Sequence, residues 1–130
     1  MARFIFDENS LAVGRAFECV RDDVTYPGAL GSPVKPGTKD TTMLAIIGGS
    51  GLVLLTRDKR IRLAPVERTK LLDHGVRACF LTSGGNLRRF DQLRVWARHW
   101  DAIERLVADE PAPWLASVTR TEVKLILRPR

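Results

Sequence analysis

Cysteine is scarce in this chain, and long apolar runs are missing. The two cysteines, Cys19 and Cys79, lie far apart and each has apolar neighbours, so we predict buried thiols rather than a disulfide framework or a zinc site. No stretch approaches the roughly 20 continuous apolar residues of a membrane helix, which excludes a membrane span. The apolar stretch near the N-terminus is shorter than that of a secretory signal. We therefore expect a cytoplasmic protein.

Neither charged nor apolar residues are present in excess. Hydrophobic residues make up 45% of the 130 residues and charged residues 28%, which is close to the average of globular proteins. This composition argues against intrinsic disorder and against a fibrous protein. A chain of this length can bury about two-thirds of its unfolded surface. We therefore predict a single domain that spans residues 1–130.

Lysine is rare among the basic residues. Lysine and arginine together number 21 against 15 acids, for a net charge of +6, but only five of the 21 are lysine. Arginine makes planar, bidentate contacts with phosphate, and this preference favours a nucleic acid as partner. The same balance also suits an ordinary basic protein, because charge alone does not specify a ligand.

Short apolar runs alternate with amphipathic stretches along the chain. The runs predict strands, and the stretches with apolar residues every three or four positions predict helices. The predicted strands cover residues 3–6, 24–26, 52–55, 76–81, 114–118 and 123–127, and the predicted helices 11–20, 43–47, 65–74 and 86–110. This alternation predicts an α/β fold with a mainly parallel sheet, in which the last two strands form a hairpin. A loop rich in proline and glycine, residues 27–38, precedes the second helix.

The longest predicted helix, residues 86–110, carries both apolar and basic residues. Trp96 and Trp100 are one turn apart and are expected in the core rather than stacked on bases. The other apolar positions that are expected to face the core are Leu87, Phe90, Leu93, Ala97, Ile103 and Val107. The arginines of this helix form either a solvated face or a stripe that contacts RNA, and they are Arg88, Arg89, Arg94, Arg98 and Arg105.

Three acids lie where predicted elements meet at one edge of the sheet. Asp7 follows the first strand, Asp58 follows the strand of residues 52–55, and Asp40 precedes the helix that leads into that strand. Ligands of open α/β sheets bind beyond the carboxyl ends of the strands. We therefore expect these three side chains to converge, with Glu8 beside them. Taken singly, an acid after a strand is more often a helix cap or a turn former, and for Asp40 a cap and a metal ligand are expected about equally.

Clustered carboxylates repel one another, and a divalent cation removes that repulsion. Carboxylate oxygens are the ligands that Mg²⁺ and Mn²⁺ prefer, and such an ion polarises a phosphodiester and activates water. Basic residues that flank the acids are expected to contact the phosphates of a substrate, and they are Lys39, Arg57, Lys59 and Arg60. An alternative is that these charges form ordinary surface ion pairs.

Two segments resemble those of a known family. Residues 3–9, Arg-Phe-Ile-Phe-Asp-Glu-Asn, and residues 54–61, Leu-Leu-Thr-Arg-Asp-Lys-Arg-Ile, resemble the PIN-like domain family, and Asp40 lies between them ahead of a helix. The likeness is closest to the compact branch that includes the VapC-type toxins of toxin–antitoxin pairs. It implies a three-layer α/β/α sandwich with a mainly parallel central sheet, followed by a long helix and a β-hairpin.

The resemblance also implies an activity and its residues. Active members of the family are ribonucleases that hold Mg²⁺ or Mn²⁺ with clustered acids. Asp7, Asp40 and Asp58 match the catalytic acids of that pattern. The implied metal ligands are Asp7, Glu8, Asp40 and Asp58.

One family feature has no clear equivalent in this sequence. Full PIN nucleases usually have another acid downstream of the position that Asp58 matches. Glu67 and Asp73 are in range, and both fall on a predicted helix.

These observations predict a metal-dependent endoribonuclease, the toxin of a toxin–antitoxin pair. RNA is the expected substrate and a cognate antitoxin is the expected protein partner. A homodimer is one assembly that this interpretation allows. The alternative is a catalytically degenerate PIN-like module that binds RNA or a protein. A receiver-like domain that accepts a phosphoryl group is a third hypothesis, which the basic charge and the proline- and glycine-rich loop fit poorly.

Overall fold

Strands and helices alternate along the chain. The computed structural model describes residues 1–58, 63–82 and 87–128. The strands are β1 (Phe4–Phe6), β2 (Val24–Thr25), β3 (Val53–Thr56), β4 (Arg77–Leu81), β5 (Trp114–Val118) and β6 (Val123–Leu127). The helices are α1 (Leu11–Val20), α2 (Asp40–Ser50), α3 (Pro65–Asp73), α4 (Arg89–Arg98) and α5 (Trp100–Asp109), and a short 3-10 turn, Glu8–Ser10, precedes α1. None of the helices in the described ranges is long and apolar enough to cross a membrane.

The strands form one sheet in the order β2-β1-β3-β4-β5-β6. The first five pair in parallel and β6 pairs antiparallel with β5, so the predicted parallel sheet and terminal hairpin are confirmed. From β1 the chain passes to β2 on one side and then returns to β3 on the other side. In open α/β sheets such a reversal leaves a crevice at the carboxyl ends of the two central strands. Here those strands are β1 and β3.

Helices cover both faces of the sheet, which confirms the three-layer sandwich. Successive residues of each strand point to opposite faces: Phe4 and Phe6 belong to one hydrophobic cluster, with residues of α1, α4 and α5. Ile5 belongs to the other cluster, with residues of α2 and α3. Burial on both faces explains why β1 and residues 52–55, which lead through β3, are apolar without interruption.

Aromatic rings form the centre of the first cluster. The ring of Phe6 is 5.4 Å from that of Phe17 and 5.6 Å from that of Trp96, between centroids. Trp100 contacts Phe17 at 4.7 Å and Phe4 at 4.8 Å. Both tryptophans are buried, so the prediction that they belong to the core is correct. Tilted, offset ring pairs of this kind add stabilisation beyond the area that they bury.

The single long helix predicted for residues 86–110 is wrong, because the helix divides in two at His99. This residue has φ −100° and ψ 6°, and it separates α4 from α5. Its ring nitrogen Nε2 lies 3.2 Å from the carbonyl oxygen of Arg120, 21 residues further along the chain. Hydrophobic periodicity does not report such a distant partner. The start expected at Asn86 lies outside the described residues.

Phe90 and Ala97 are also not in the core, contrary to the prediction. The side of α4 that packs on the sheet carries Gln92, Val95 and Trp96. At 100° per residue, Phe90 points about 180° away from the middle of that side. It is 68% exposed. Because the helix divides at His99, the apolar face of α5 does not continue the apolar positions of α4, although the sequence pattern of residues 86–110 had joined them into one face.

One of the two cysteines departs from the prediction of buried thiols. Cys79 lies in the core on β4 and burial raises the pKa of its thiol to about 12. Cys19 is exposed on α1, because the buried side of that helix is formed by Val13, Gly14 and Phe17. At 100° per residue, Cys19 falls outside that side of the helix.

Helix α2 extends beyond both ends of the helix predicted for residues 43–47, and Gly48 and Gly49 are part of it. Gly48 is helical, and a Cβ atom built on it would lie 2.1 Å from the carbonyl oxygen of His74, at the end of α3. The helix ends only at Gly51, whose φ of +70° favours glycine. The absence of a side chain at Gly48 therefore allows α2 to approach the end of α3 closely.

Gly48→Ala is expected to lower the free energy of unfolding by about 1–3 kcal/mol, because the methyl group would overlap backbone atoms of His74. Gly49→Ala is the matched control, since Gly49 lies in the same helix with open space around it. It is expected to raise stability by about 0.5–1 kcal/mol. Urea unfolding measures both effects, and equal effects would contradict the close approach of the two helices.

Candidate active site

An acidic cavity lies at the carboxyl ends of β1 and β3. It has a volume of about 230 Å³, and Asp7, Glu8, Asn9, Asp40 and Asp58 are among its lining residues. The three acids that the sequence analysis singled out therefore lie around one cavity, although they are up to 51 positions apart in the chain. This is the crevice that the reversal of strand order creates.

Asp7 is placed by the pairing of β1 with β3. Its backbone nitrogen donates to the carbonyl oxygen of Leu55 at 3.4 Å, which continues the strand pairing by one residue. The side chain is buried, with only 3% of the residue exposed. The hydroxyl of Thr56 donates to Oδ2 of Asp7 at 2.5 Å. The other oxygen, Oδ1, is buried and has no hydrogen-bond donor among the described residues.

Thr56, which is not among the site residues predicted from the sequence, connects two of the acids. While its hydroxyl donates to Asp7, the same oxygen accepts a hydrogen bond from the backbone nitrogen of Asp58 at 3.0 Å. The residue is completely buried. Its signal in the sequence is a hydroxyl residue at the end of an apolar strand, two positions before an acid. That signal is weak, because threonine is common in strands.

Burial dominates the electrostatics of Asp7. It raises the pKa of the carboxyl group to about 6, because the charged form loses hydration. The hydrogen bond from Thr56 and the nearby hydroxyl of Ser10 act in the opposite direction, and the charges of Asp58 and Asp40 raise the pKa further. The hydroxyl of Ser10 has no hydrogen-bond partner of good geometry in the described part of the chain, and its effect on the pKa of Asp7 is smaller than that of Thr56.

Asp58 is held from the other side of the cavity. It is 8% exposed, and its Oδ2 accepts a hydrogen bond from the side-chain amide of Asn9 at 3.2 Å. The exposed guanidinium of Arg57 donates through Nε to the carbonyl oxygen of Asn9 at 3.2 Å. Asn9 therefore joins the turn after β1 to the segment after β3. Lys59 and Arg60, which were predicted to contact phosphate, lie outside the described residues.

Asp40 is the first residue of α2 and also borders a second cavity. This neighbouring cavity, of about 380 Å³, is lined by Lys39, Asp40 and Glu67 among others. Glu67 belongs to the first turn of α3, whereas Asp73 ends α3 at the opposite edge of the sheet, where β4 begins. Of the two acids considered for the downstream family position, Glu67 is the one that the fold brings beside Asp40.

Glu8 makes a contact of a different kind. Its Oε1 accepts a hydrogen bond from the backbone nitrogen of Gly37, in the loop of residues 27–38. Pro27, Val34 and Gly37 of this loop also line the acidic cavity. Glu8 thus ties the loop to the turn after β1. Its predicted role as a metal ligand stays a prediction.

The donor chemistry of the acidic cavity suits a hard divalent cation. No group of three or more His, Cys, Asp or Glu side chains within residues 1–58, 63–82 and 87–128 is arranged to hold a metal ion by itself. Mg²⁺, however, is often held by one or two carboxylates, with water and substrate phosphate completing its shell. Oδ1 of Asp7 has no hydrogen-bond partner within the described ranges, and Asp58 and Asp40 are close enough to raise the pKa of this carboxyl group. This arrangement fits such a partial ligand set.

A family model described as a PIN-like domain matches residues 2–83. The chain belongs to the PIN-like domain family. The matched residues run from β1 to beyond β4 and include all three acids of the cavity. PIN-like domains are generally nucleases that bind RNA, and PIN domains typically use divalent metals. No curated protein and no solved structure matches the chain.

The raised pKa of Asp7 makes stability depend on pH. In the folded PIN-like domain this carboxyl group releases its proton near pH 6 rather than near its ordinary 3.8, so the folded state binds the proton more tightly than the unfolded state. The resulting stability is fully present below about pH 4 and is lost as the pH rises to about 6. The loss amounts to roughly 2–3 kcal/mol.

Asp7→Asn is therefore expected to gain stability relative to the wild type as the pH rises from 4 to 7, by roughly 2–3 kcal/mol. Chemical unfolding with EDTA present measures this difference without bound metal. Asp73→Asn, an exposed acid at the opposite edge of the sheet, is the control and should show no such change. A stability difference for Asp7→Asn that is the same at both pH values would contradict the raised pKa.

Proposed function

We propose that this PIN-like domain is a metal-dependent endoribonuclease. One observation carries the proposal: carboxylates that follow β1, begin α2 and follow β3 surround a single cavity in a protein of net charge +6. Asp7 is buried, and one of its carboxylate oxygens has no partner in the part of the chain that the structure describes. Burial of a carboxylate beside two others costs free energy. Acids in a cleft whose pKa values are strongly shifted are typical of functional sites.

Asp7, Asp40 and Asp58 are the proposed catalytic acids and would hold Mg²⁺ or Mn²⁺, with Glu8 as a further proposed ligand. When bound, the ion supplies charge stabilisation for the phosphodiester and an activated water. The side chains of the protein orient these groups. Thr56 fixes Oδ2 of Asp7 and the backbone of Asp58 relative to one another.

Basic groups beside the cavity are proposed to bind the phosphates of the substrate. Arg57 is exposed next to Asp58, and Lys39 is exposed next to Asp40. Lys59 and Arg60 are proposed for the same role from the sequence alone. These cations offset the repulsion between an acidic cavity and a polyanion, which would otherwise oppose binding.

Cleavage of a single-stranded RNA in the presence of Mn²⁺ or Mg²⁺ tests the proposal. EDTA is expected to abolish cleavage, and Asp7→Asn and Asp58→Asn are expected to lower the rate at least about 100-fold. Asp73→Asn should cleave at the wild-type rate, because it removes an acid of the same type at the opposite edge of the sheet. Undiminished cleavage by both folded site variants would refute the assignment.

Thr56→Val is expected to lower the cleavage rate by about 10- to 100-fold, because it removes the hydroxyl that links Asp7 and Asp58 without changing the side-chain volume. Thr56→Ser keeps the hydroxyl and should restore most of the rate. Circular dichroism checks that both variants are folded. If Val and Ser at this position cleave equally well, Thr56 acts only in the core.

A second candidate is a non-catalytic module that binds RNA or a protein. The finding that favours it is the lack, among the described residues, of a preformed group of three metal-binding side chains. RNA binding that persists in EDTA and in Asp7→Asn, with no cleavage under any metal, would select this candidate over the nuclease.

The proposed biological role is the toxin of a toxin–antitoxin pair, with a cognate antitoxin as partner and a homodimer as one assembly. The resemblance of residues 3–9 and 54–61 to the VapC-type branch supports this role. The test is a small neighbouring reading frame that encodes a DNA-binding pattern. The role would be established if the product of that reading frame binds the PIN-like domain and inhibits the cleavage of RNA. Cleavage that this product leaves unchanged would count against it.

A further inference from the structure

The outward side of α4 combines an exposed aromatic ring with exposed arginines. Phe90 is 68% exposed, and the side chain of Arg94 is 71% exposed. Arg98 is exposed as well. Successive members of this set are four positions apart, so Phe90, Arg94 and Arg98 lie one after another along one side of the helix. Most of the apolar area of this large aromatic side chain is therefore in contact with water in the isolated chain.

The same side of α4 forms one wall of a cavity of about 700 Å³. Asp91, Arg94 and Arg98 line this wall, and Arg120 lines the opposite side from the turn between β5 and β6. The bond between the ring of His99 and the carbonyl oxygen of Arg120 holds that turn against the junction of α4 and α5. We call this cavity, together with Phe90, the α4 groove.

Positive charge dominates the α4 groove. Arg94 pairs with Asp91 at 3.8 Å, but both groups are exposed, and such pairs contribute little. Arg98 makes no ion pair with any residue that the structure describes. Among the described residues that line the groove, Arg94, Arg98 and Arg120 are cationic and Asp91 is acidic. Guanidinium groups favour planar contacts with phosphate oxygens.

The α4 groove lies at the same edge of the sheet as the acidic cavity. The turn that carries Arg120 follows the carboxyl end of β5, which runs parallel to β1 and β3 through β4. Strand β3 leads to the acidic cavity and strand β5 leads to the α4 groove. These strands are two strand spacings apart, or about 10 Å. A short polynucleotide is long enough to span this spacing between the strands.

We propose that the α4 groove binds single-stranded RNA, with its arginines on the phosphates and Phe90 stacked on a base. Alternating cationic and aromatic groups are the means by which proteins bind single strands without sequence preference. A duplex would not offer an unstacked base to Phe90. The identification of the bound strand as the substrate rests on the proposed nuclease function, whereas the binding itself does not.

Fluorescence anisotropy with a labelled single-stranded RNA of about 12 nucleotides, in EDTA to prevent cleavage, tests the α4 groove. Phe90→Leu is expected to raise the dissociation constant about 5- to 100-fold through loss of stacking, and Phe90→Tyr to preserve binding. Arg98→Gln should lower the slope of log affinity against log salt by about 0.7. Asp91→Asn should tighten binding about two- to fivefold, because it removes a carboxylate that lines the groove.

Arg105→Gln is the matched control, since Arg105 is an exposed arginine on α5 that does not line the groove. Its salt slope should equal that of the wild type. Dissociation constants that are the same for wild type, Phe90→Leu and Arg98→Gln would overturn the proposal, as would equal affinity for duplex RNA. These results are the ones expected if the natural ligand of this surface is a protein and not an RNA.

The same set of variants separates this inference from the proposed nuclease function. Binding that depends on Phe90 and Arg98, without any metal-dependent cleavage, would support the α4 groove and refute the nuclease. Cleavage that depends on Asp7, with an RNA affinity that none of the groove variants changes, would support the nuclease and refute the groove.

Discussion

The parallel pairing of β1 with β3 is the interaction on which the candidate site depends. Phe6 lies opposite Leu55 in this pairing, and the next residue of β1, Asp7, still bonds to the backbone of Leu55. The end of β3 then supplies the hydroxyl of Thr56 to the carboxylate of Asp7. A shift of one residue between these strands would turn every side chain to the opposite face. The register therefore determines whether the acids share a cavity.

The clustered carboxylates of the acidic cavity lower the stability of the folded protein, and the same carboxylates are the proposed metal ligands. A buried carboxylate beside two others is costly, and the raised pKa of Asp7 expresses that cost. The two hydrophobic clusters on the faces of the sheet offset it. The rings around Trp96 and Trp100 lie directly under α1, α4 and α5, so the most extensive aromatic packing supports the layer that also carries the α4 groove.

The charge distribution connects the two proposed functional surfaces. The protein carries a net charge of +6, yet its crevice at β1 and β3 is lined with acids. A polyanion is attracted to the molecule as a whole and repelled by this cavity, unless a cation occupies it. The arginines of the α4 groove provide an attractive surface at the same edge. Binding and metal-dependent chemistry would then be divided between neighbouring surfaces.

Sequence by itself determined the alternation of strands and helices, the three acids at strand and helix boundaries, and the family. These features are local, because a helical or strand period involves residues within a few positions of one another. Tertiary structure alone decided that Thr56 bonds to Asp7, 49 residues away, and that Glu67 rather than Asp73 lies near Asp40. It also decided that the helix divides at His99 and exposes Phe90. Such outcomes depend on strand register and on helix packing, and neither leaves a periodic pattern in the chain.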